Sequence, residues 1–475
     1  MLSRMLALAM LCLAGVVGCQ SGPHQPPSTD DGSGPGSAQD LIVHNGTVVT
    51  FDDTDTIFEH GAVVIVEDSI ARVGSAEELL AEFPDARRID ARGGLVLPGL
   101  INAHTHVPMV LFRGFADDLE LMDWLQNHIF PAEAELVDEE FVRWGTRLAC
   151  LEMLRGGTTT FADMYYYEDV VAEEADRCGM RAVVGETLLD FPAPDNKTWG
   201  EGVAYMRNFA ARWRDHPRIT PAVAPHASYT VSAEHLIEAH QLAEELDLPL
   251  LIHLAEDRAE VDQIVEQTGS TPVEYLFDLE ILSPRMLAAH VVWPTEAEIG
   301  LLASNGVGVA HCPQSNMKVA AGVAPVPAMI AAGVDVGIGT DGAASNNDLN
   351  LWEEIDTAAK LHKVTAMDPT ILNARQALRM ATIDGARALG LESVIGSLVV
   401  GKRADLIIVG TDSFHQQPHY SPYSLLTYST KSADVATVIV DGRVVVENGR
   451  VLTLDIDEVL DKAWEYREQI AGLNR

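Results

Sequence analysis

The two ends of the chain alternate apolar and polar residues in short stretches separated by turn signals. Residues 41–74 carry this pattern around an Asn45-Gly46 pair, and residues 396–452 repeat it around Asp441-Gly442 and Asn448-Gly449. Alternation with two-residue turns of this kind is typical of antiparallel β-structure. We therefore predict a small β-sandwich domain built from both chain ends, with residues 41–96 as its first part and 393–454 as its second.

The middle of the chain, residues 97–392, alternates strand-like apolar runs with helix-like stretches. Such repetition is typical of a parallel sheet, and eight strand–helix units close a barrel. The apolar runs lie near residues 96–103, 158–162, 181–185, 219–225, 248–252, 286–289, 307–310 and 334–339. The predicted fold class is therefore α/β, a (β/α)8 TIM barrel with a small β-sandwich domain.

Helices are predicted between these strands and at the end of the chain. They cover residues 232–246, 294–305 and 349–363. Ser345 or Asn346 is the predicted N-cap of the last of these, because both residue types accept hydrogen bonds from a first helical turn. The tail, residues 455–475, is predicted to form a closing amphipathic helix.

Residues 1–19 have the pattern of an export signal. Arg4 precedes an apolar run over residues 5–17, too short to span a membrane as a mature helix, and the run is followed by Gly18-Cys19. This ending resembles a bacterial lipobox, which predicts a lipoprotein signal peptide, a lipid anchor on Cys19 and export to the cell envelope, periplasmic or surface. An ordinary signal peptide and a buried apolar helix are the alternatives. Residues 20–40, rich in Ser, Gly, Pro and Asp, are predicted to be a flexible tether.

The composition indicates a globular protein with a strongly acidic surface. The 475 residues are 47% hydrophobic, and 70 Asp and Glu outnumber 32 Lys and Arg, which gives a net charge of −38. A surface of that sign repels phosphate backbones and anionic lipid. We therefore expect no nucleic-acid partner, and membrane contact only through the Cys19 anchor. A homo-oligomer is compatible with the sequence, which does not specify one.

Each predicted barrel strand is followed by a histidine or an acid. These residues are His104 and His106, Asp163, Glu186, His226, His253, His290, His311 and Asp341. Active sites of TIM barrels lie at the carboxyl ends of the strands. His104 and His106 share one face of the first strand, and His253 and Asp341 can add two further ligands. Three imidazoles and a carboxylate suit one divalent metal, with zinc favoured over iron and one position left for water.

Two further side chains suit acid–base chemistry beside such a metal. Glu256, three residues after His253, could protonate a ring nitrogen of a substrate, and the alternative is a solvated loop acid. His290 could hydrogen-bond the activated water, and the alternative is a core histidine. Residues 337–342 match a GxGxxG motif, but Asp341 would oppose a pyrophosphate there. We therefore interpret the motif as the glycine-rich end of the eighth strand.

Four segments carry a resemblance to a known family. They read PGLINAHTHVPMVLFRGFADDLELMDWL, LIHLAED, HCPQSNMKVAAGVAPV and GIGTDGAASNNDLNLWEE. They are similar to the motifs of 5-methylthioadenosine/S-adenosylhomocysteine deaminases, which belong to the amidohydrolase superfamily. The resemblance runs from about residue 41 to the C-terminal region. It implies a TIM-barrel enzyme in which a metal-bound hydroxide attacks C6 of an adenine nucleoside and ammonia is released.

The resemblance also implies roles for individual residues. Its metal ligands correspond to His104, His106, His253 and Asp341. Asp341 would also take the proton of the water, Glu256 would shuttle a proton to the ring, and His290 would stand beside the activated water. Glu133, in the segment IFPAEAEL, would bind ribose hydroxyls, and His226 would contact the nucleoside.

One position departs from the family pattern. Members that accept homocysteine-bearing substrates have an Arg after the third strand, where this chain has Glu186, and the next segment offers only Lys197. A buried Glu would repel a substrate carboxylate. We therefore expect a neutral adenine nucleoside, such as 5-methylthioadenosine, 5′-deoxyadenosine or adenosine, to be preferred over S-adenosylhomocysteine. The segment ITPAVAPHASYTV also lacks the Lys that two-metal relatives carboxylate, which predicts a single metal.

Other functions share the same metal chemistry and stay open at this point. One is deamination of a free base such as guanine, cytosine or 8-oxopurine, and another is a triazine-type chlorohydrolase. In the deaminase interpretations the partner is a small-molecule purine nucleoside or base. A non-catalytic binding lipoprotein is the alternative from another class, and the complete set of ligand residues argues against it.

Overall fold

The structure is a computed structural model that describes residues 40–473. The predicted signal peptide, the Cys19 anchor and the tether up to residue 39 lie outside the described residues. Residues 40–473 fall within one compact unit. In this part of the chain, no helix is both long and apolar enough to cross a membrane.

The described residues contain two β-sheets. In chain order the strands are β1 (Leu41–Val49), β2 (Ile57–Val66), β3 (Ser69–Ser75), β4 (Arg87–Asp90), β5 (Leu95–Pro98), β6 (Leu100–Thr105), β7 (Thr158–Tyr165), β8 (Arg181–Leu188), β9 (Ile219–Pro225), β10 (Leu250–Leu254), β11 (Met286–His290), β12 (Gly308–His311), β13 (Val336–Ile338), β14 (Leu406–Val409), β15 (Val435–Val440), β16 (Arg443–Glu447) and β17 (Arg450–Val451). The first and last groups of strands form one sheet, and β6 to β13 form the other.

The sheet of β6 to β13 is a parallel barrel whose strands pair in sequence order. The segment after β13 returns to β6, where the amide of Asp341 donates to the carbonyl oxygen of His104 at 2.9 Å. The amide of Thr340 donates to Oδ1 of Asn102 at 3.0 Å. Buried aliphatic side chains such as those of Ile101 and Leu251 fill the interior, as in a packed barrel core.

Both chain ends contribute to the other sheet, in which β5 pairs antiparallel with β14. Its order is β17-β16-β15-β14-β5-β1-β2-β3, and β4 pairs with β1. The alternating pattern at each end therefore marks strands of one shared sheet. The predicted fold class is confirmed, because the chain forms a TIM barrel and a second β-structure to which both chain ends contribute strands.

The first predicted barrel strand, residues 96–103, is two strands in the structure. Gly99 divides them: its amide donates to the carbonyl oxygen of Asp405 at 3.0 Å, whereas Leu100 donates to Gly157 at 3.0 Å. The hydrogen-bond partners thus change from one sheet to the other at Gly99. A Cβ atom there would lie 2.1 Å from Oγ1 of Thr159, so only glycine allows this close approach.

Helices surround the barrel. They are α1 (Ala76–Glu82), α2 (Leu121–Trp124), α3 (Phe130–Leu136), α4 (Glu139–Gly156), α5 (Glu168–Cys178), α6 (Trp199–Trp213), α7 (Ala233–Leu246), α8 (Arg258–Thr268), α9 (Pro272–Asp278), α10 (Glu296–Ser304), α11 (Pro313–Lys318), α12 (Val326–Ala332), α13 (Leu351–Ala366), α14 (Ala374–Met380), α15 (Ile383–Ala388), α16 (Pro422–Tyr428) and α17 (Ile456–Leu473). Short 3-10 helices cover Val107–Phe112, Phe414–Gln416 and Ser432–Asp434, and a π-helix covers Leu125–Ile129.

The predicted N-cap of α13 is wrong. Asn350 caps the helix, and its Oδ1 accepts from the amide of Trp352 at 3.2 Å. Ser345 instead donates to Asp341 at 2.9 Å, and the side-chain amide of Asn346 donates to Glu354 at 2.6 Å. Both predicted residues are therefore engaged in side-chain contacts before the helix begins.

Residues 107–136, here called the cap segment, follow β6. The segment contains α2, the π-helix Leu125–Ile129 and α3 in immediate succession. A π-turn inserts an extra residue into a helix and is frequent at functional sites. Side chains from all three helices, among them those of Trp124, Leu125 and Glu133, line a cavity above the barrel.

Candidate active site

The four predicted metal ligands lie together at the carboxyl end of the barrel. His104 is in β6 and His106 directly follows it, while His253 is in β10 and Asp341 follows β13. Nε2 of His106 lies 3.2 Å from Oδ1 of Asp341 and 3.3 Å from Nε2 of His253. Nε2 of His104 lies 3.5 Å from the same Asp341 oxygen. Four ligand atoms therefore face one small space.

Two of the histidines donate hydrogen bonds to backbone carbonyl oxygens, and these bonds orient their Nε2 lone pairs towards that space. Nδ1 of His106 lies 2.6 Å from the carbonyl oxygen of Met164, and Nδ1 of His253 lies 2.8 Å from that of His226. A carbonyl oxygen only accepts, so each Nδ1 carries the proton and each Nε2 presents a lone pair. Nε2 of His104 is buried without a hydrogen-bond partner. A divalent cation would satisfy all three nitrogens, so these residues fit the predicted metal.

The Asp341 carboxylate makes this space favourable for a positive charge. Burial raises its pKa, but the adjacent rings of His104 and His106 hold the pKa of Asp341 well below its usual range. Burial lowers the pKa of His106, yet the Asp341 carboxylate raises it to about 9 overall, and a bound metal would take the place of that extra proton on Nε2. Oδ2 of Asp341 accepts from the hydroxyls of Ser315 at 2.7 Å and Ser345 at 2.9 Å. The carboxylate is therefore ionised and oriented, with Oδ1 directed at the histidines.

Glu256 and His290 lie beside the ligand cluster. Oε1 of Glu256 is 3.7 Å from Nε2 of His290. The side-chain amide of Asn316 donates to Nδ1 of His290 at 3.0 Å, which leaves the proton of the ring on Nε2. His290 is close enough to His104 and His253 to join a metal site, but this hydrogen bond makes Nε2 a donor. Burial raises the pKa of Glu256 well above its usual range, which favours the protonated form of this side chain.

A cavity opens onto the cluster. It is lined by His106, Met109, Leu121, Trp124, Leu125, Ile129, Phe130, Glu133, Met164, Tyr165, Tyr166, Thr187, His226, Tyr229, His253, Glu256, His290, Asp341 and Ser345. Apolar and aromatic side chains predominate, and within the described part of the chain no Lys or Arg belongs to the lining. Such a lining suits an uncharged aromatic ligand held by a few polar groups.

Glu133 and His226, the predicted substrate-binding residues, both line this cavity. Glu133 is buried in α3, where its Oε1 accepts from the hydroxyl of Tyr165 at 2.7 Å and burial raises its pKa to about 7. Nδ1 of His226 lies 2.9 Å from the hydroxyl oxygen of Thr230, and burial lowers the pKa of His226 to about 3, so the ring is neutral. Both positions are compatible with the predicted roles, which stay predictions.

The expectation that Glu186 repels a substrate carboxylate is wrong. Glu186 is buried on the outer side of β8, where Oε1 accepts from the side-chain amide of Asn196 at 2.8 Å, and its neighbour Thr187 lines the cavity instead. Lys197 is also outside the lining, because its ammonium group donates to the carbonyl oxygens of Ala193 at 2.6 Å and Pro194 at 2.9 Å. Neither residue therefore bears directly on the charge of the substrate.

Sequence reasoning missed the residues that hold the site residues in place. Glu260 accepts from the backbone amide of Glu256 at 2.8 Å and fixes the turn after β10. Asp163 accepts from the hydroxyl of Thr105 and the amide of Val107, both at 2.6 Å, on either side of His106. Asp163 is one of the acids at the predicted strand ends but was given no role, and Glu260 is an ordinary helix acid that no sequence pattern marks.

Comparison with known proteins gives consistent matches over most of the chain. Residues 95–445 match the amidohydrolase family, and residues 61–86 match an imidazolonepropionase-like composite domain of bacteria. A protein of Syntrophobacter fumaroxidans, named 5-methylthioadenosine/S-adenosylhomocysteine deaminase, is 50% identical over 426 residues, which cover 90% of this chain and 97% of the relative.

Solved structures with the same fold include two zinc-bound proteins. An adenosine deaminase from Xanthomonas campestris has a TM-score of 0.90 at 40% identity, covering 91% of this chain and 99% of its own. An atrazine chlorohydrolase from Arthrobacter aurescens has a TM-score of 0.84 at 26% identity, covering 90% of this chain and 100% of its own. The resemblance carried by the four motif segments is confirmed, and the chain belongs to the amidohydrolase family.

Proposed function

We propose that this enzyme is a metal-dependent hydrolytic deaminase of adenine nucleosides that releases ammonia from C6. The observation that carries the proposal is the meeting of three elements in one cavity. These are the ligand cluster of three histidines and Asp341, Glu256 beside it with its raised pKa, and an apolar lining that carries one further carboxylate, Glu133. The deaminases among its relatives support the same reaction.

The metal would be held by His104, His106, His253 and Asp341. When bound, a divalent metal supplies the acidity that makes water a nucleophile at neutral pH. Zinc is proposed, with iron as the alternative, since imidazole and carboxylate ligands suit both and the similar adenosine deaminase contains zinc.

The chain's own groups then move the protons. The raised pKa of Glu256 favours its protonated form, which can donate to ring nitrogen N1 and so make C6 electrophilic. The ionised Asp341 can accept a proton from the attacking water and return it to the departing amino group, which leaves as ammonia. Nε2 of His290 carries a proton and can donate to the oxygen that adds to C6. Glu256 recovers a proton from the C6 hydroxyl as the C6–N bond breaks, and the product is an inosine-like nucleoside.

The lining of the cavity supports a neutral substituent at the 5′ position. Leu121, Trp124, Leu125 and Phe130 of the cap segment offer apolar surface for a methylthio or methyl group. An ionised carboxylate taken from water without a cationic partner costs several kcal/mol. We therefore propose 5-methylthioadenosine, 5′-deoxyadenosine and adenosine as better substrates than S-adenosylhomocysteine. This preference no longer rests on Glu186 but on the absence of Lys and Arg from the described lining.

The test is ammonia release by the zinc-loaded protein from a panel of compounds. The panel holds these four nucleosides, guanine, cytosine and a triazine. We expect the neutral nucleosides to exceed S-adenosylhomocysteine by about tenfold or more in kcat/KM, which corresponds to about 1.4 kcal/mol. Asp341→Asn should abolish release without changing the unfolding transition, which ties the activity to this site.

Other outcomes of the panel separate the alternatives. Equal or better use of S-adenosylhomocysteine would keep the reaction and reject the argument from the lining. Activity only on free bases or the triazine would reject the nucleoside assignment. No turnover after metal reconstitution, with retained ligand binding, would favour a binding protein.

We also propose that the protein is exported and lipid-anchored through Cys19. This proposal is supported by the sequence of residues 1–19, in which Arg4 precedes an apolar run that is followed by Gly18-Cys19. Cells expressing the protein with a radiolabelled fatty acid should show label in the envelope fraction, and Cys19→Ser should remove it. Unlabelled protein in the cytosolic fraction with residues 1–19 intact would reject export and anchoring together.

A further inference from the structure

Glu133 is placed by a contact between the cap segment and the barrel. It lies in α3 of the cap segment, whereas Tyr165 is the last residue of barrel strand β7. The Tyr165 hydroxyl donates to Oε1 of Glu133 at 2.7 Å, and both residues are only 4% exposed. This hydrogen bond therefore joins two separate elements across the wall of the cavity.

The position of Tyr165 relates this contact to the reacting end of the cavity. Its ring centroid lies 6.4 Å from that of His106, one of the proposed metal ligands. Tyr165 and the adjacent Tyr166 pack with ring centroids 4.8 Å apart, and both line the cavity. The distance between the reacting centre and the Glu133 carboxylate is thus set through a rigid aromatic side chain on a barrel strand.

The hydrogen bond also favours the form of Glu133 that accepts from hydroxyl groups. Burial raises the pKa of Glu133 to about 7, and the hydrogen bonds from Tyr165 and Tyr166 oppose that rise. An ionised carboxylate has about four acceptor positions, so these two hydrogen bonds leave room for two sugar hydroxyls. Hydrogen bonds to a charged acceptor are stronger than neutral ones.

We propose that Tyr165 is a positioning residue that determines selectivity for an intact ribose, acting through Glu133. This inference rests on the proposed nucleoside deaminase function. Tyr165 holds the carboxylate at the height of the 2′- and 3′-hydroxyls while the purine reaches Glu256 and the metal ligands. A substrate without those hydroxyls gains nothing from this placement.

The test compares adenosine with 2′,3′-dideoxyadenosine, using the zinc-loaded full chain. The two compounds differ only in the hydroxyls that Glu133 would accept from. In Tyr165→Phe we expect the kcat/KM preference for adenosine to fall about tenfold, since a hydrogen bond to a charged group contributes about 1.5–3 kcal/mol and only part of it is transmitted. The kcat/KM for the dideoxy compound should stay within about twofold of wild type.

A double variant shows whether Tyr165 acts through Glu133. Glu133→Gln alone should lower the preference, and adding Tyr165→Phe should lower it little further, because residues that act as one unit are not additive. Tyr205→Phe is the matched control. Its hydroxyl accepts from the amide of Asp169 at 2.9 Å, outside the cavity lining, so its removal should leave the preference unchanged.

The outcomes separate this inference from the proposed function. An equal loss for both nucleosides in Tyr165→Phe, or no loss for either, would overturn the role of Tyr165 while the wild type still confirms the reaction. The role of Tyr165 would also be overturned if Tyr165→Phe lowered the preference for adenosine as much in the Glu133→Gln variant as it does in wild type. Wild-type protein that releases ammonia from neither nucleoside would overturn the proposed function and this inference with it.

Discussion

Single residues of the site were predictable where barrel geometry alone brings them together. His104, His106, His253 and Asp341 lie far apart in sequence, but the carboxyl ends of parallel strands converge, and their ligand atoms meet. Glu186 was misjudged because adjacent residues of a strand point to opposite faces. An apolar run such as that around β8 does not show which of two neighbours faces the cavity, and it is Thr187 that does.

A group of carboxyl side chains lies buried behind β7 and β8 with no basic partner. Glu168 and Glu186 are fully buried, and no ion pair within residues 40–473 joins either to a Lys or Arg. Burial and then the nearby Asp163 raise the pKa of Glu168 well above its usual range, and burial raises the pKa of Asp163 to about 6. These groups therefore bind protons more tightly in the folded protein than in the unfolded chain.

This arrangement predicts a pH-dependent effect of Glu168→Gln on stability. A carboxyl group with a raised folded-state pKa stabilises the fold fully below its unfolded pKa, near 4.3, and that contribution is lost as pH rises through the folded pKa. The glutamine amide can donate to Asp163 without titrating. We expect the variant and wild type to be similar at pH 5, and the variant to be about 1–3 kcal/mol more stable at pH 8.

Urea unfolding of both proteins at several pH values measures this difference. Glu266→Gln, at an exposed position in α8, is the control and should show no trend with pH. A difference between Glu168→Gln and wild type that stays constant from pH 5 to pH 8 would contradict the raised folded-state pKa of Glu168.

Whole elements were predictable to the extent that hydrophobic period decides them. The helix predicted at 232–246 is Ala233–Leu246, and the tail helix is Ile456–Leu473, because their apolar stripes face the core. Boundaries set by tertiary contacts were not. The N-cap of α13 is Asn350, because the two residues predicted for that role make other side-chain contacts. Ser345 donates to Asp341, and Asn346 donates to Glu354.

The cap segment shows the same limit at a functional element. The π-helix Leu125–Ile129 between α2 and α3 depends on hydrogen bonds that no residue pattern specifies. That turn sets which side chains of α3 face the cavity. The orientation of Glu133 towards Tyr165 therefore follows from the fold of the segment and from its packing on the barrel.

At the scale of the whole molecule, the two sheets are joined by their backbone and by buried charges. Alternation at both chain ends predicts strands in one shared domain. It does not specify that β5 pairs with β14 or in which register they pair. Across the junction, Arg181 at the start of barrel strand β8 reaches the other sheet region. Its guanidinium lies 2.8 Å from Asp405 and 3.2 Å from Asp441, and all three side chains are buried.

Removing this arginine should destabilise the entire fold. Arg181→Met keeps much of the side-chain volume but leaves Asp405 and Asp441 buried with less compensating charge, and breaking a buried ion pair on one side costs about 3–5 kcal/mol. Because the triad spans both sheets, we expect one unfolding transition at lower urea concentration rather than early loss of one part. Arg207→Met, which breaks the exposed pair with Glu245, should cost less than about 1 kcal/mol. Equal small losses in the two variants, measured by urea unfolding, would show that backbone pairing alone holds the sheets together.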